Sequence, residues 1–108
     1  MFLGRFTRKD INQGVEEWKN TKGAVLLDVR TKEEYAASHI KGSVNVPLDE
    51  LETIGRVVPD KGTPLFVYCL SGGRSASAAA YLKKSGYSRV CNIGGMHSYR
   101  GETVSCNI

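Results

Sequence analysis

The sequence predicts an α/β fold: a small parallel, doubly wound sheet flanked by helices. Ala24-Val25-Leu26-Leu27-Asp28-Val29 and Pro64-Leu65-Phe66-Val67-Tyr68 are continuous apolar runs. That is the pattern of strands buried on both faces, not the alternation of a sheet with one wet face. Around them lie segments with helical spacing and capping residues, and strands alternating with helices build parallel sheets. A chain of 108 residues is long enough for one core and too short for two, so one domain over 1–108 is expected.

The elements follow in order. Thr7-Arg8-Lys9-Asp10 has the form of a capping box, and Ile11, Val15 and Trp18 fall on one helical face that Gly23 closes. The first apolar strand carries Asp28 and Arg30 at its carboxyl end. Thr31-Lys32-Glu33-Glu34 is a second capping box, opening a short helix that Ser38-His39 and Gly42 bring to an end. Residues 43–46 read as a short strand stopped by Pro47, and 48–58 as helical with Leu51 and Ile54 inward. After the turn Pro59-Asp60-Lys61-Gly62, the clearest buried strand runs straight into Cys69. Leu70-Ser71-Gly72-Gly73 is a loop, and from Ser75 an alanine-rich helix continues to Gly86. Residues 90–93 supply a last strand, Gly94-Gly95 a turn, and 96–99 a short helix.

Composition excludes several classes. Hydrophobic content of 41% and charged content of 24% are those of a soluble globular chain. The longest apolar run, near residues 65–70, is far short of a membrane span. Met1-Phe2-Leu3-Gly4-Arg5-Phe6 places a charge where a signal peptide needs an apolar core, so no export signal is expected. Three cysteines, Cys69, Cys91 and Cys106, form no paired framework, which favours a reducing, cytoplasmic setting. The net charge of +4 favours anionic partners, but basic and acidic residues interleave, pointing to a small anion rather than nucleic acid.

In open α/β sheets the ligand site lies beyond the carboxyl ends of the strands, here at Asp28, Arg30 and the loop after Tyr68. Cys69 ends a strand, Ser75 starts a helix, and Leu70, Ser71, Gly72, Gly73 and Arg74 lie between. Glycines let amides turn inward, and a helix N-terminus adds about half a positive charge, so the loop is an anion cradle around the sulfur. A free cysteine with a pKa near 8.5 is only about 3% ionised at pH 7, and such a cradle raises that fraction. Arg74 beside a helix N-terminus is unfavourable by roughly 0.3–1 kcal/mol. An ion pair with Asp28, or attraction to the Cys69 thiolate or a bound anion, is expected to offset it.

Other candidates read more plainly. Cys91 is a small core hydrophobe, and Cys106 is a bystander or a resolving thiol. His39 is a hydrogen-bonded structural residue, and His97 and Tyr99 are pocket rim or plain surface. The histidines have no metal-ligand pattern, and no cofactor is implied.

Four segments together resemble the rhodanese family over nearly the whole chain. They are Leu26-Leu27-Asp28-Val29-Arg30; Glu34-Tyr35 with His39-Ile40-Lys41-Gly42-Ser43-Val44-Asn45-Val46-Pro47; Tyr68-Cys69-Leu70-Ser71-Gly72-Gly73-Arg74-Ser75; and Asn92-Ile93-Gly94-Gly95-Met96. The resemblance implies a thiosulfate sulfurtransferase in which Cys69 accepts a sulfane sulfur from thiosulfate or a similar small anionic donor. The persulfide then passes to cyanide or to a thiol or protein acceptor. It implies an active-site loop from Cys69 through Arg74, with Arg74 assisting anion binding. Ser38 and Tyr99 stand where the family often has Gly and Trp. Many relatives have two linked domains, so a single one is expected to present a more open loop. A cysteine phosphatase or arsenate reductase is the enzymatic rival, but four residues separate Cys69 from Arg74 and the phosphatase signature has five. A non-enzymatic interaction module of the same fold typically lacks the cysteine.

Overall fold

The computed structural model describes residues 10–106. Asp10 caps α1 (Ile11–Lys19), its carboxylate accepting from the Asn12 amide at 3.5 Å. Thr7, Arg8 and Lys9 of the expected capping box, and the segment from Met1 to Phe6, lie outside the described residues. The helix ends at Asn20, and Gly23, with φ +77°, turns the chain into β1 (Val25–Asp28). Then follow α2 (Lys32–Ala37), β2 (His39–Ile40), β3 (Val44–Asn45), a 3₁₀ segment Leu48–Thr53, α3 (Ile54–Val57), β4 (Leu65–Cys69), α4 (Gly73–Lys84), β5 (Val90–Gly95), a 3₁₀ turn Met96–Ser98 and β6 (Thr103–Val104).

The main sheet has the order β3-β1-β4-β5, with every pairing parallel. Alternation along the central strands sorts the core into two layers, because successive side chains point to opposite faces. Leu27, Val29, Val67 and Cys69 pack with Leu51, Ile54, Ala78 and Leu82 on one face; Leu26, Phe66 and Tyr68 pack with Ile11, Val15 and Ile93 on the other. Helices therefore cover both faces, as a doubly wound sheet requires. This parity puts Cys69 on the side of α4.

Three expectations are corrected. Gly94-Gly95 is not a turn: both glycines belong to β5, Gly94 opposite Tyr68 and Gly95 opposite Cys69, so the last strand runs two residues beyond 93. The stretch 48–58 is a kinked 3₁₀ segment followed by one short α-turn, with Leu51 and Ile54 buried as the spacing requires. A second, antiparallel sheet pairs β2 with β6, and two-residue strands leave no periodicity to read. Among the described residues no helix is long and apolar enough to cross a membrane.

Candidate active site

Cys69 is the last residue of β4 and has no solvent exposure. Three residues later Gly72, with φ +104°, takes the left-handed conformation as N-cap of α4, a turn that only glycine makes without strain. The chain doubles back, and the Gly72 amide donates to Cys69 Sγ at 2.9 Å. The Ser75 amide donates to the same sulfur at 3.4 Å, and the Ser75 hydroxyl oxygen lies 3.5 Å from it. The helix starts at Gly73, two residues before the predicted Ser75, because the left-handed Gly72 already sets the first turn. A pair of glycines scored by propensity reads as loop.

Burial pushes the Cys69 thiol up, but the Ser75 hydroxyl and the amides of Ser75, Gly72 and Ser71 together bring it below its ordinary value. Twelve residues of α4 end their dipole at this point. On the α4 side the amides of Gly72 and Ser75 thus converge on the sulfur, and the two glycines contribute differently. A side chain at Gly73 would meet nothing within 4 Å, so only Gly72 of the pair is required by geometry.

A third glycine carries a duty that the sequence reading missed. A Cβ on Gly95 would lie 2.5 Å from the Leu70 carbonyl oxygen and 2.8 Å from Ser71 Cα. The end of β5 thus presses directly on the loop. His97 joins it there, its backbone amide at 3.1 Å and its ring Nδ1 at 2.8 Å from the Leu70 carbonyl. His97 is thus a brace for the loop, and Tyr99 packs partly buried against the second core layer. Leu70 itself is exposed.

Arg74 does not pair with Asp28. Its guanidinium meets Glu34 on α2, Nη1 to Oε1 at 2.7 Å and Nη2 to Oε2 at 3.0 Å. That hydrogen bond, with the Thr31 cap, brings the Glu34 carboxyl down to about 2 despite partial burial. Asp28 is unavailable because Arg30 already holds it, through Nε at 3.1 Å to both oxygens and Nη2 at 2.7 Å to Oδ2. The Arg30 amide adds a fourth bond at 2.9 Å. Arg30 Nη2 also donates to the Ser38 carbonyl at 2.6 Å, and Asn45 Nδ2 donates to the carbonyls of Asp28 and Arg30. This buried pair ties β1 to the end of α2 and β3, and so positions the helix that presents Glu34 to Arg74.

Sulfur-side closure of the ring comes from Ser75 rather than from the Arg74 guanidinium. Cys69 is also shut in, not presented on an open loop. A shallow, mostly apolar cleft lined by Val29, Thr31, Pro47, Leu48, Asp49 and Arg74 opens beside the guanidinium. His39 is structural, stacked on Tyr35 at 3.7 Å between ring centres with Nδ1 2.7 Å from the Tyr35 carbonyl. Cys91 is half-buried against the second core layer, and Cys106 is exposed, its amide donating to the Ala36 carbonyl.

A family model described as "Rhodanese-like domain" matches residues 11–102. The thiosulfate sulfurtransferase PspE of Escherichia coli is 42% identical over 71 residues, covering 65% of this chain and 68% of that protein. The thiosulfate sulfurtransferase GlpE of Pseudomonas entomophila is 37% identical over 91 residues, covering 80% of this chain and 83% of that protein. A solved structure titled "rhodanese with anions from E. coli" superposes with a TM-score of 0.71 at 37% identity, covering 76% of this chain and 98% of the other.

Proposed function

The chain belongs to the rhodanese-like domain family of sulfurtransferases, and from that premise we propose that it moves a sulfane sulfur from thiosulfate, or a similar small anionic donor, through a persulfide on Cys69. The observation that carries this reading is the convergence of the Gly72 and Ser75 amides on a buried sulfur at the end of β4. Donors fixed in that ring favour the thiolate over the thiol, and thiolate is the nucleophile. Cys69 thiolate attacks the outer sulfur of thiosulfate, the S–S bond to the sulfonate sulfur breaks, and sulfite leaves with the electron pair. A persulfide anion remains, its charge on a terminal sulfur about 2 Å beyond Sγ. Cyanide or a thiolate acceptor takes that terminal sulfur as thiocyanate or a new persulfide, and Cys69 thiolate is regenerated. No external reductant is needed, since the transferred sulfur keeps its oxidation level across the two steps.

Leu70, Ser71, Gly72, Gly73, Arg74 and Ser75 form the substrate loop in this reading. Asp28 and Arg30 support it through α2. A single domain over 1–108 working in the cytoplasm with a thiol or protein acceptor belongs to the same reading. The apolar cleft beside Arg74 suits the organic part of such an acceptor, with the guanidinium edge near its anionic end.

The test is intact mass after incubation with thiosulfate. The expected result is a gain of one sulfur atom on the wild-type chain, none on Cys69→Ser, and release of sulfite in step. A wild-type chain that stays unmodified while hydrolysing an aryl phosphate would instead favour the phosphatase reading. One inert in both assays would favour the interaction module.

A further inference from the structure

The Ser75 hydroxyl has one proton and more acceptors than it can serve. It lies 2.7 Å from Asn92 Oδ1, 3.1 Å from the Gly72 carbonyl and 3.5 Å from Cys69 Sγ, with no solvent access. Asn92 sits on β5 at a register break, where Val67 pairs with Asn92 and Tyr68 with Gly94. There its Oδ1 also accepts the Gly94 amide at 3.0 Å. A backbone N–H can only donate, so that bond fixes the amide with its oxygen toward Ser75. The nearest acceptor for the serine proton is therefore Asn92, not the sulfur.

We propose that Asn92 is a positioning residue that competes with the Cys69 sulfur for the single proton of the Ser75 hydroxyl, and so sets how readily the thiolate forms. In the thiol state Ser75 donates to Asn92 Oδ1 and accepts the Cys69 S–H. When the thiol loses its proton, that donor is gone and the hydroxyl rotates, leaving Asn92 and donating to Sγ. Thiolate formation thus includes breaking the Ser75–Asn92 bond. The same rotation serves the anionic sulfur left when a persulfide hands its outer atom on. The Gly72 carbonyl competes less, because its contact with the hydroxyl is the longer one, at 3.1 Å against 2.7 Å.

The ionisable groups on the elements around the cysteine are Tyr68 on β4, Arg74 at the start of α4 with Tyr81, Lys83 and Lys84 toward its far end, Glu34 paired with Arg74 on α2, Asp28 at the end of β1 bonded to Arg30 just after it, Cys91 on β5 and His97 after it. Asn92→Ala changes no charged group but removes the acceptor of the Gly94 amide as well as that of Ser75, so the part of its effect that comes through Ser75 is the part that disappears once Ser75 is alanine.

The experiment is the pH profile of alkylation by iodoacetamide, read on the Cys69 peptide by mass spectrometry. It compares wild type, Asn92→Ala, Ser75→Ala and the double variant. Releasing the serine proton to sulfur frees one hydrogen bond's worth of competition, so Asn92→Ala is expected to alkylate about two- to tenfold faster near neutral pH, with its midpoint moved down. In the Ser75→Ala background the Asn92 substitution is expected to have a clearly smaller effect. Asn92→Asp keeps the Gly94 bond and holds the serine proton harder, so it moves the midpoint up, and by less once Ser75 is alanine. That variant decides the matter if Asn92→Ala does not fold. An unchanged profile in Asn92→Ala, or an Asn92 effect of equal size with and without the Ser75 hydroxyl, would overturn the proposal. The inference rests on Cys69 as the reacting thiol, but alkylation reports its ionisation without sulfur transfer. Normal alkylation with no uptake of sulfur from thiosulfate would count against the transferase reading alone.

Discussion

Arg74 and Glu34, forty residues apart in sequence, meet side by side in two parallel hydrogen bonds of 2.7 and 3.0 Å. A cation in the first turn of α4 opposes the helix dipole, and the carboxylate brought by α2 offsets it. The pair also spans from the helix that carries the Thr31 capping box to the loop that carries the thiol.

Glu34→Gln keeps one oxygen for the cap at Thr31 but removes the charge and one of the two acceptors that Arg74 uses. Because Arg74 holds the folded carboxyl at about 2, below its ordinary 4.5, the pair stabilises the fold above pH 4.5. That contribution fades as pH falls toward 2. Both side chains are about one-third exposed, so solvent screens the pair. The variant is expected to lose roughly 0.5–1 kcal/mol at pH 7 by urea titration. Wild type and variant are expected to converge in acid. A difference that persists undiminished at pH 2 would mean the lost stability is not electrostatic.

Two glycines separate packing from propensity. Gly95→Ala drives a methyl into the Leu70 carbonyl and Ser71, and is expected to cost about 1–3 kcal/mol. It should lower sulfur transfer by about 10- to 100-fold through displacement of the loop. Gly73→Ala meets open space inside a helix and is expected to keep transfer near wild type while gaining about 0.5–1 kcal/mol. Steady-state thiocyanate formation and thermal melts compare them. Equal activity in the two variants would remove Gly95 from its role beside the loop.

Most of the fold was legible because its signals are local or periodic. The buried runs of β1 and β4 gave a parallel sheet, and the Thr31-to-Glu34 spacing gave a cap that closes in both directions. The position of Cys69 at a strand end followed from the run that precedes it. What was not legible depends on distance in space. Topology offers Asp28, the Cys69 thiolate or a bound anion as the partner of Arg74, because all of them lie at the strand ends, whereas Glu34 comes from α2. Asp28, though, is fully buried and claimed by Arg30, two residues along the same chain. β6 is two residues long and exists only because β2 offers it an edge. The duty of Gly95 appears only once β5 is laid against the loop, since a Gly-Gly pair reads equally well as a turn.

Arg30→Met tests how the buried pair supports the site. It leaves the Asp28 carboxylate without its guanidinium in a setting with no solvent access. A loss of about 3–5 kcal/mol is expected. In an Asp28→Asn background the same substitution should cost clearly less, because no buried charge is left alone. Urea titrations of the four chains measure the coupling. Strict additivity would mean that Arg30 acts through its bond to the Ser38 carbonyl rather than through Asp28.

The enclosed position of Cys69 makes its reactivity depend on reagent size as well as pH. Burial raises the Cys69 pKa but the donors on the sulfur outweigh it and bring it below its ordinary value, so alkylation by iodoacetamide is expected to reach half its limiting rate at lower pH than that of an ordinary free cysteine. The same depression means that folding gains stability from Cys69 as pH rises, fully present above the thiol's unfolded value and lost as pH falls through the lower, folded one. Cys69→Ser lacks this gain, so the two chains should diverge toward alkaline pH. A bulky polymer-linked maleimide is expected to label exposed Cys106 first and Cys69 slowly, because the loop must open to admit it. Equal labelling of both cysteines by the bulky reagent would show an open loop in solution, and an acceptor could then reach Sγ itself rather than only the outer sulfur of a persulfide.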